Sequence, residues 1–256
     1  MRMLNGTIGR MLPRPATFGP SCEVPVTRAA MVHWWDDLTF VHWRYRAEDV
    51  QRLLPAGLTA QTFDGSAWVS LVPFFLRVGL PIAPPLPWAS QFAETNVRTY
   101  VTSADGEHGI WFFSLDAESQ VAVEAARRLY KLPYFRARMS AWPRGRDVEY
   151  ETSRRDRSGH LAQLRVTYGP RGEPFAAEPG SLEHFLTERY CLYATDEDAR
   201  LHRAEIHHPP WALQRGEAGI TQNTMPPPGI DLPGDPPHVL FSRRQDVVIW
   251  APALVP

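Results

Sequence analysis

The clearest alternation of polar and apolar positions lies in ETNVRTYV, residues 94–101. Glu94, Asn96, Arg98 and Tyr100 fall on one face of an extended strand. Thr95, Val97, Thr99 and Val101 fall on the other, because successive strand side chains point to opposite sides. DLTFVHWRY (37–45), rich in β-branched and aromatic residues, predicts another strand. AEDVQRLLPAG follows as a short helix with a Val50, Leu53, Leu54 stripe, stopped by Pro55 and Gly57. LTAQTFDGSAWVSLVPFFLRV predicts a hairpin turning at Asp64-Gly65, and FAETNVRTYVTSADGEHGIWFFSLD a second one. DAESQVAVEAARRLYKLP predicts a helix over about 117–130, started by Asp116 or Ser119 and ended by Pro133. Its Val121, Ala125 and Leu129 are expected to pack on the outside of the sheet.

FRARMSAW, RDVEYETSRR and HLAQLRVTYG predict consecutive strands; SLEHFLTERY predicts a short helix capped by Ser181. YCLYAT, RLHRAEIHH and DVVIWA complete the strands. The proline-rich stretches 79–90 and 224–238 are expected to be loops, the first at the mouth of a barrel. The whole predicts a β-rich α+β fold: an antiparallel sheet curled or closed into a barrel or cone, which protects its edges, with a few flanking helices. Residues 1–30 are expected to form a loosely ordered arm and 31–256 a single domain. Met31 stands where an alternative start would fall.

Composition narrows the function classes. The 256 residues carry a formal charge of −1, which predicts no strong attraction to nucleic acid. The 25 prolines, roughly twice the usual frequency, favour turns and strands over long helices. No apolar run reaches the roughly 18 residues of a membrane span, and the N-terminus has no apolar core of a secretory signal. Cys22 and Cys191 are too few for a disulfide framework, so a reducing cytoplasm is the expected compartment. His202, His207 and His208 lack zinc-ligand spacing, and no dinucleotide or phosphate loop is present, so no metal or cofactor is expected.

Several segments together resemble a known family. WWDDLTFVHWRY, FDGSAWVSLVPF, NVRTYV, WFFSLDA and RRLYKLPY look like the YqjF family, also called DUF2071, from about residue 33 to the C-terminus. That family is similar in turn to acetoacetate decarboxylase, which implies an antiparallel β-cone or barrel flanked by a few helices. In the decarboxylase two adjacent lysines directly follow the proline that ends the helix, and one forms a Schiff base with the substrate ketone. The matching positions here are Tyr134 and Phe135, which form no imine. Lys131, the only lysine in the chain, lies before Pro133 and has no lysine beside it. It reads as a helix-end cation that complements the helix dipole.

The resemblance places Glu94 near the decarboxylase's active-site glutamate and Tyr134 in the place of the lost lysine. If the Glu94 face is the lumen, Glu94 and Arg98 lie about 13 Å apart along the strand, close enough for long side chains to reach one ligand. Arg98 then holds a carboxylate bidentately, Glu94 serves as general base or acceptor, and Tyr134 donates to a carbonyl oxygen. Asn96 and His42 are expected beside them as ligand contacts. Asp116 reads as a helix cap rather than a catalyst. The expected partner is a small anionic or oxo-acid ligand, bound with or without lyase or isomerase chemistry. A purely binding module and a scaffold with a filled interior are the alternatives, and a homo-oligomer is compatible with each.

Overall fold

The computed structural model describes residues 29–79, 91–155, 159, 161–231 and 237–255. The predicted arm and the loop at 79–90 fall almost entirely outside them, as does part of the loop at 224–238. Seven strands form a ring: β1 (Met31–Tyr45), β4 (Ser66–Gly79), β5 (Gln91–Ser103), β6 (His108–Ala117), β11 (Cys191–Thr195), β12 (Leu201–His207) and β14 (His238–Ile249). Their order is β12-β11-β6-β5-β4-β1-β14, and β14 pairs back with β12 through Ile206 with Ile249 and His207 with Val248. The pairings are antiparallel as expected, except that β11 and the short β7 (Tyr134–Arg136) run parallel to β6. Short strands β2 (Leu58–Ala60) and β3 (Thr62–Phe63) lie off the ring path, on β5 and β4, and β15 (Ala253–Leu254) pairs with β12. Asp64 and Gly65, both left-handed, make the tight turn between β3 and β4 that their sequence predicts.

Two bulges decide which side chains fill the ring. In β1 the register against β4 slips between Asp36 and Val41, where Asp37 takes a left-handed φ of 48°. The extra residue resets the alternation, so Trp35 on one side of the bulge and Leu38 and Phe40 on the other all face inward. In β6 the register against β5 slips at Phe113, so that Ile110 and Phe112, then Leu115 and Ala117, share the inner cluster.

A second layer covers the outside. Strands β13 (Leu213–Asn223), β10 (Leu161–Phe175), β9 (Asp147–Arg155) and β8 (Arg138–Arg144) continue the sheet from β14. Their Val148, Tyr150, Leu164 and Val166 pack on Val41, Val69, Leu71 and Val97, together with Val50 of α1 (Ala47–Gln51). The outward side chains of β5 are therefore as dry as the inward ones.

Helix α2 (Gln120–Tyr130) differs in detail from its sequence reading. Ser119 caps it, accepting from the Ala122 N–H at 3.3 Å, while Asp116 lies inside β6. Val123 and Tyr130 enter the inner cluster with Ala122 and Ala126 against it, whereas Val121 is 80% and Leu129 64% exposed, and Ala125 is exposed too. The cause is the exit of the chain: Tyr130, Leu132 and Tyr134 all enter the core, which fixes the roll of the helix one position away from the expected stripe. Helix α3 (Leu182–Thr187) begins at the Ser181 cap. No helix among the described residues is long and apolar enough to cross a membrane.

Candidate functional site

The inner row of β5 is Glu94, Asn96, Arg98 and Tyr100, and all four are buried. Their neighbours on β4 are Phe74, Val72 and Ser70, opposite Glu94, Asn96 and Arg98. The row carries two polar groupings, one at each end.

At the first, the Tyr134 hydroxyl donates to Glu94 Oε2 at 3.1 Å. Tyr134 arrives there because β7 pairs with β6, Leu115 opposite Tyr134, after α2 has ended. Burial pushes the Glu94 carboxyl up to about 8, against hydrogen bonds from Tyr134 and Asn96 that favour its charged form. Burial also drives the Tyr134 phenol well above its ordinary value, with the Glu94 charge adding to the shift. The outer layer pins this point of the strand: the Tyr150 hydroxyl donates to the Glu94 carbonyl at 2.8 Å and accepts from Thr95 at 2.9 Å.

At the second, Arg98 is 5% exposed, its guanidinium 5.1 Å from the Phe40 ring and 5.8 Å from that of Tyr100. Among the described residues its one hydrogen bond is a long one of 3.4 Å to the Leu186 carbonyl, and its Nε has no partner. Tyr100 Oη sits 2.7 Å from Ser70 Oγ and 3.1 Å from His42 Nε2. His42 Nδ1 faces the His238 carbonyl at 3.2 Å; that acceptor assigns the ring proton to Nδ1 and leaves Nε2 to accept from Tyr100. Burial, then the His238 and Arg98 charges, hold His42 well below its ordinary value, so it is neutral.

All five residues named from the sequence thus lie in the interior, but in separate groupings. Glu94 and Tyr134 touch, His42 joins Arg98 through Tyr100, and Glu94 and Arg98 make no ion pair. Two grooves, of about 180 and 750 Å³, open on the outer layer at β8, β9 and β10, and none of the five lines either one. Asp116 is not the cap but a fully buried carboxylate on the outward face of β6, ion-paired with Arg154 Nε at 2.7 Å. Burial lifts it to about 6 against the pull of Arg154. Lys131 ends α2 in the left-handed conformation, exposed, its Nζ 2.9 Å from the Arg128 carbonyl.

Arg189 was not foreseen. It follows α3, reaches the Tyr100 ring at 5.1 Å, and is 5% exposed. Its sequence position, an arginine directly after a short helix, is that of any helix-end cation, and Arg98 lies 91 residues away. The three histidines of RLHRAEIHH spread apart: His202 contacts Asp196 at 2.9 Å, His207 stacks on Tyr190, and buried His208 reaches the Arg189 carbonyl at 3.2 Å. Among the described residues no three His, Cys, Asp or Glu side chains gather as metal ligands.

Residues 33–246 match DUF2071, described as an uncharacterized conserved protein. The chain belongs to the DUF2071 family. A relative, the "Uncharacterized protein YqjF" of Bacillus subtilis (strain 168), is 40% identical over 218 residues, which cover 84% of this chain and 88% of that protein. This DUF2071 member also shares its fold with an acetoacetate decarboxylase-like enzyme from Sphingomonas wittichii RW1, at a TM-score of 0.60 and 13% identity over 93% of this chain and 97% of the other. The enduracididine biosynthesis enzyme MppR, complexed with the condensation product of pyruvate and imidazole 4-carboxaldehyde, superposes at 0.64 and 13% identity over 97% and 98%. Acetoacetate decarboxylase from Legionella pneumophila superposes at 0.61 and 11% identity, covering 94% of each. At these identities the likeness establishes a decarboxylase-type β-cone fold.

Proposed function

We propose that the interior of the ring binds a small carboxylate or oxo-acid, with Arg98 taking its anionic end. The observation that carries this reading is the state of Arg98: a guanidinium 5% exposed, with an unpartnered Nε and no carboxylate beside it among the described residues. A buried charge is costly unless it is paired, and a bidentate carboxylate is the partner a guanidinium fits best. That MppR has been seen in complex with pyruvate is consistent with this class of ligand.

The Glu94–Tyr134 contact extends the proposal to chemistry. With its carboxyl near 8, Glu94 carries a proton at neutral pH and exchanges it readily just above, as a general acid or base must. Tyr134, turning its one O–H from Glu94 to an entering ligand, supplies a hydrogen bond to a carbonyl or enolate oxygen. Enolisation, isomerisation, hydration or a lyase step is open to this pair without a covalent intermediate. Asn96 and His42 complete the lining as positioning groups.

A thermal-shift screen of small carboxylic and 2-oxo acids tests the reading, since a ligand of the folded state raises apparent stability. Arg98→Leu is expected to abolish the response to every acid that stabilises the wild type, and Lys131→Ala to leave it intact. A response that survives Arg98→Leu removes the proposed site.

A further inference from the structure

Among the described residues, Arg98 is one of two buried cations on the Tyr100 ring. Arg189 lies 5.1 Å from that ring's centre and Arg98 5.8 Å, so both guanidiniums pack on one ring, close enough for their charges to repel. Helix α3 holds both, since Arg189 Nε donates to the Phe185 carbonyl at 2.7 Å and Arg98 Nη2 to the Leu186 carbonyl at 3.4 Å. Arg189 Nη1 adds a bond of 2.6 Å to Gln61 Oε1. Two guanidiniums carry about ten N–H bonds, and the described residues accept three of them.

Among the described residues no direct counter-ion meets this charge. His42 and His208 are held below their ordinary values by burial and are neutral. Glu188 keeps its charge while accepting from the Tyr190 hydroxyl at 2.5 Å and the Trp211 N–H at 3.4 Å, but it forms no ion pair with Arg98 or Arg189. Neither arginine forms an ion pair among the described residues. The carbonyl end of a short helix offsets only a fraction of one charge. Burial, with repulsion from Arg98, lowers Arg189 to about 10, which still leaves it charged at neutral pH.

We infer that Arg98 and Arg189 form one site for a doubly charged small anion, a dicarboxylate or a phosphate monoester, rather than for a simple monocarboxylate. The inference rests on the carboxylate-binding reading above and adds to it a second charge and a second residue. Planar guanidiniums with free N–H groups suit both anion types, and two buried positive charges call for two negative ones.

Calorimetric titration of the full-length protein with matched pairs separates the cases: succinate against butyrate, and ethyl phosphate against ethyl sulfate, at a pH where the phosphate monoester is doubly ionised. At least one dianion is expected to bind ten-fold or more tightly than its monoanion, and whichever pair shows it identifies the chemistry. Arg189→Gln is expected to weaken that dianion at least ten-fold while changing the monoanion less than three-fold, and Arg189→Lys to recover part of the loss. Equal affinities within both pairs, or a preference that survives Arg189→Gln, overturn the two-charge site but leave the monocarboxylate reading standing. If none of the four binds, both readings fail. Should Arg189→Gln not fold, the wild-type ratios and Arg189→Lys carry the test.

Discussion

Replacing Glu94 by Gln removes a titration that weakens the fold as pH rises. Glu94 is 2% exposed, and burial lifts its carboxyl from an ordinary 4.5 to about 8. In the unfolded chain the same group ionises near 4.5. Between these values the unfolded state releases a proton that the native state retains, so stability declines with pH. The contribution is fully present below about pH 4.5 and lost as pH rises through about 8. A gap of about 3.5 pH units, at about 1.4 kcal/mol each, gives on the order of 5 kcal/mol. Structural relaxation and water entry reduce it, so roughly 2–4 kcal/mol is the expected span. Urea unfolding of wild type and Glu94→Gln at intervals from pH 5 to 9 measures it. Subtracting the variant's curve cancels groups the two proteins share, such as Asp116. Wild-type stability is expected to fall by that span relative to the variant, most steeply between about pH 5.5 and 7, and to level off as pH rises through about 8. A flat difference, or one that rises with pH, refutes a protonated Glu94.

Three further outcomes follow from the same geometry. Arg98→Met removes an uncompensated buried charge, so without ligand its stability should stay within about 1 kcal/mol of wild type or exceed it; urea unfolding checks this, and a loss above about 3 kcal/mol would mean that the guanidinium is structurally paired. Tyr134→Phe deletes the hydrogen bond that favours the Glu94 carboxylate, so the pH-dependent step in stability should move above 8; a downward move contradicts the assigned donor. Incubation with acetoacetate and borohydride should leave the protein mass unchanged, because Tyr134 and Phe135 replace the paired lysines; an adduct mapped to Lys131 would overturn that.

Much of this was legible in the sequence because it rests on local rules. The alternation of ETNVRTYV identified the inner row of β5, and Asp64-Gly65 announced its turn. What the local sequence does not carry depends on distant contacts. The bulges at Asp37 and Phe113 break the two-residue period, so the inward residues of β1 and β6 follow no single alternation. Strand β13 contains Gly216 and Gly219 and buries mainly Leu213, leaving no apolar pattern to detect. The roll of α2 was set by Tyr130, Leu132 and Tyr134 beyond its expected stripe. Asp116 passed for a cap because its partner, Arg154, lies 38 residues away. Arg189 joins Arg98 only once α3 closes over the Tyr100 end of β5.

A crystal structure with the 2-oxo acid or dianion that stabilises the protein most would test the central claim directly, that the ring interior is an anion site. The account predicts the anionic oxygens within hydrogen-bond distance of the Arg98 guanidinium, on the side of β5 that carries Glu94 and faces Tyr134. Ligand found only in the outer grooves along β8–β10, with the inner row of β5 unchanged, would contradict it.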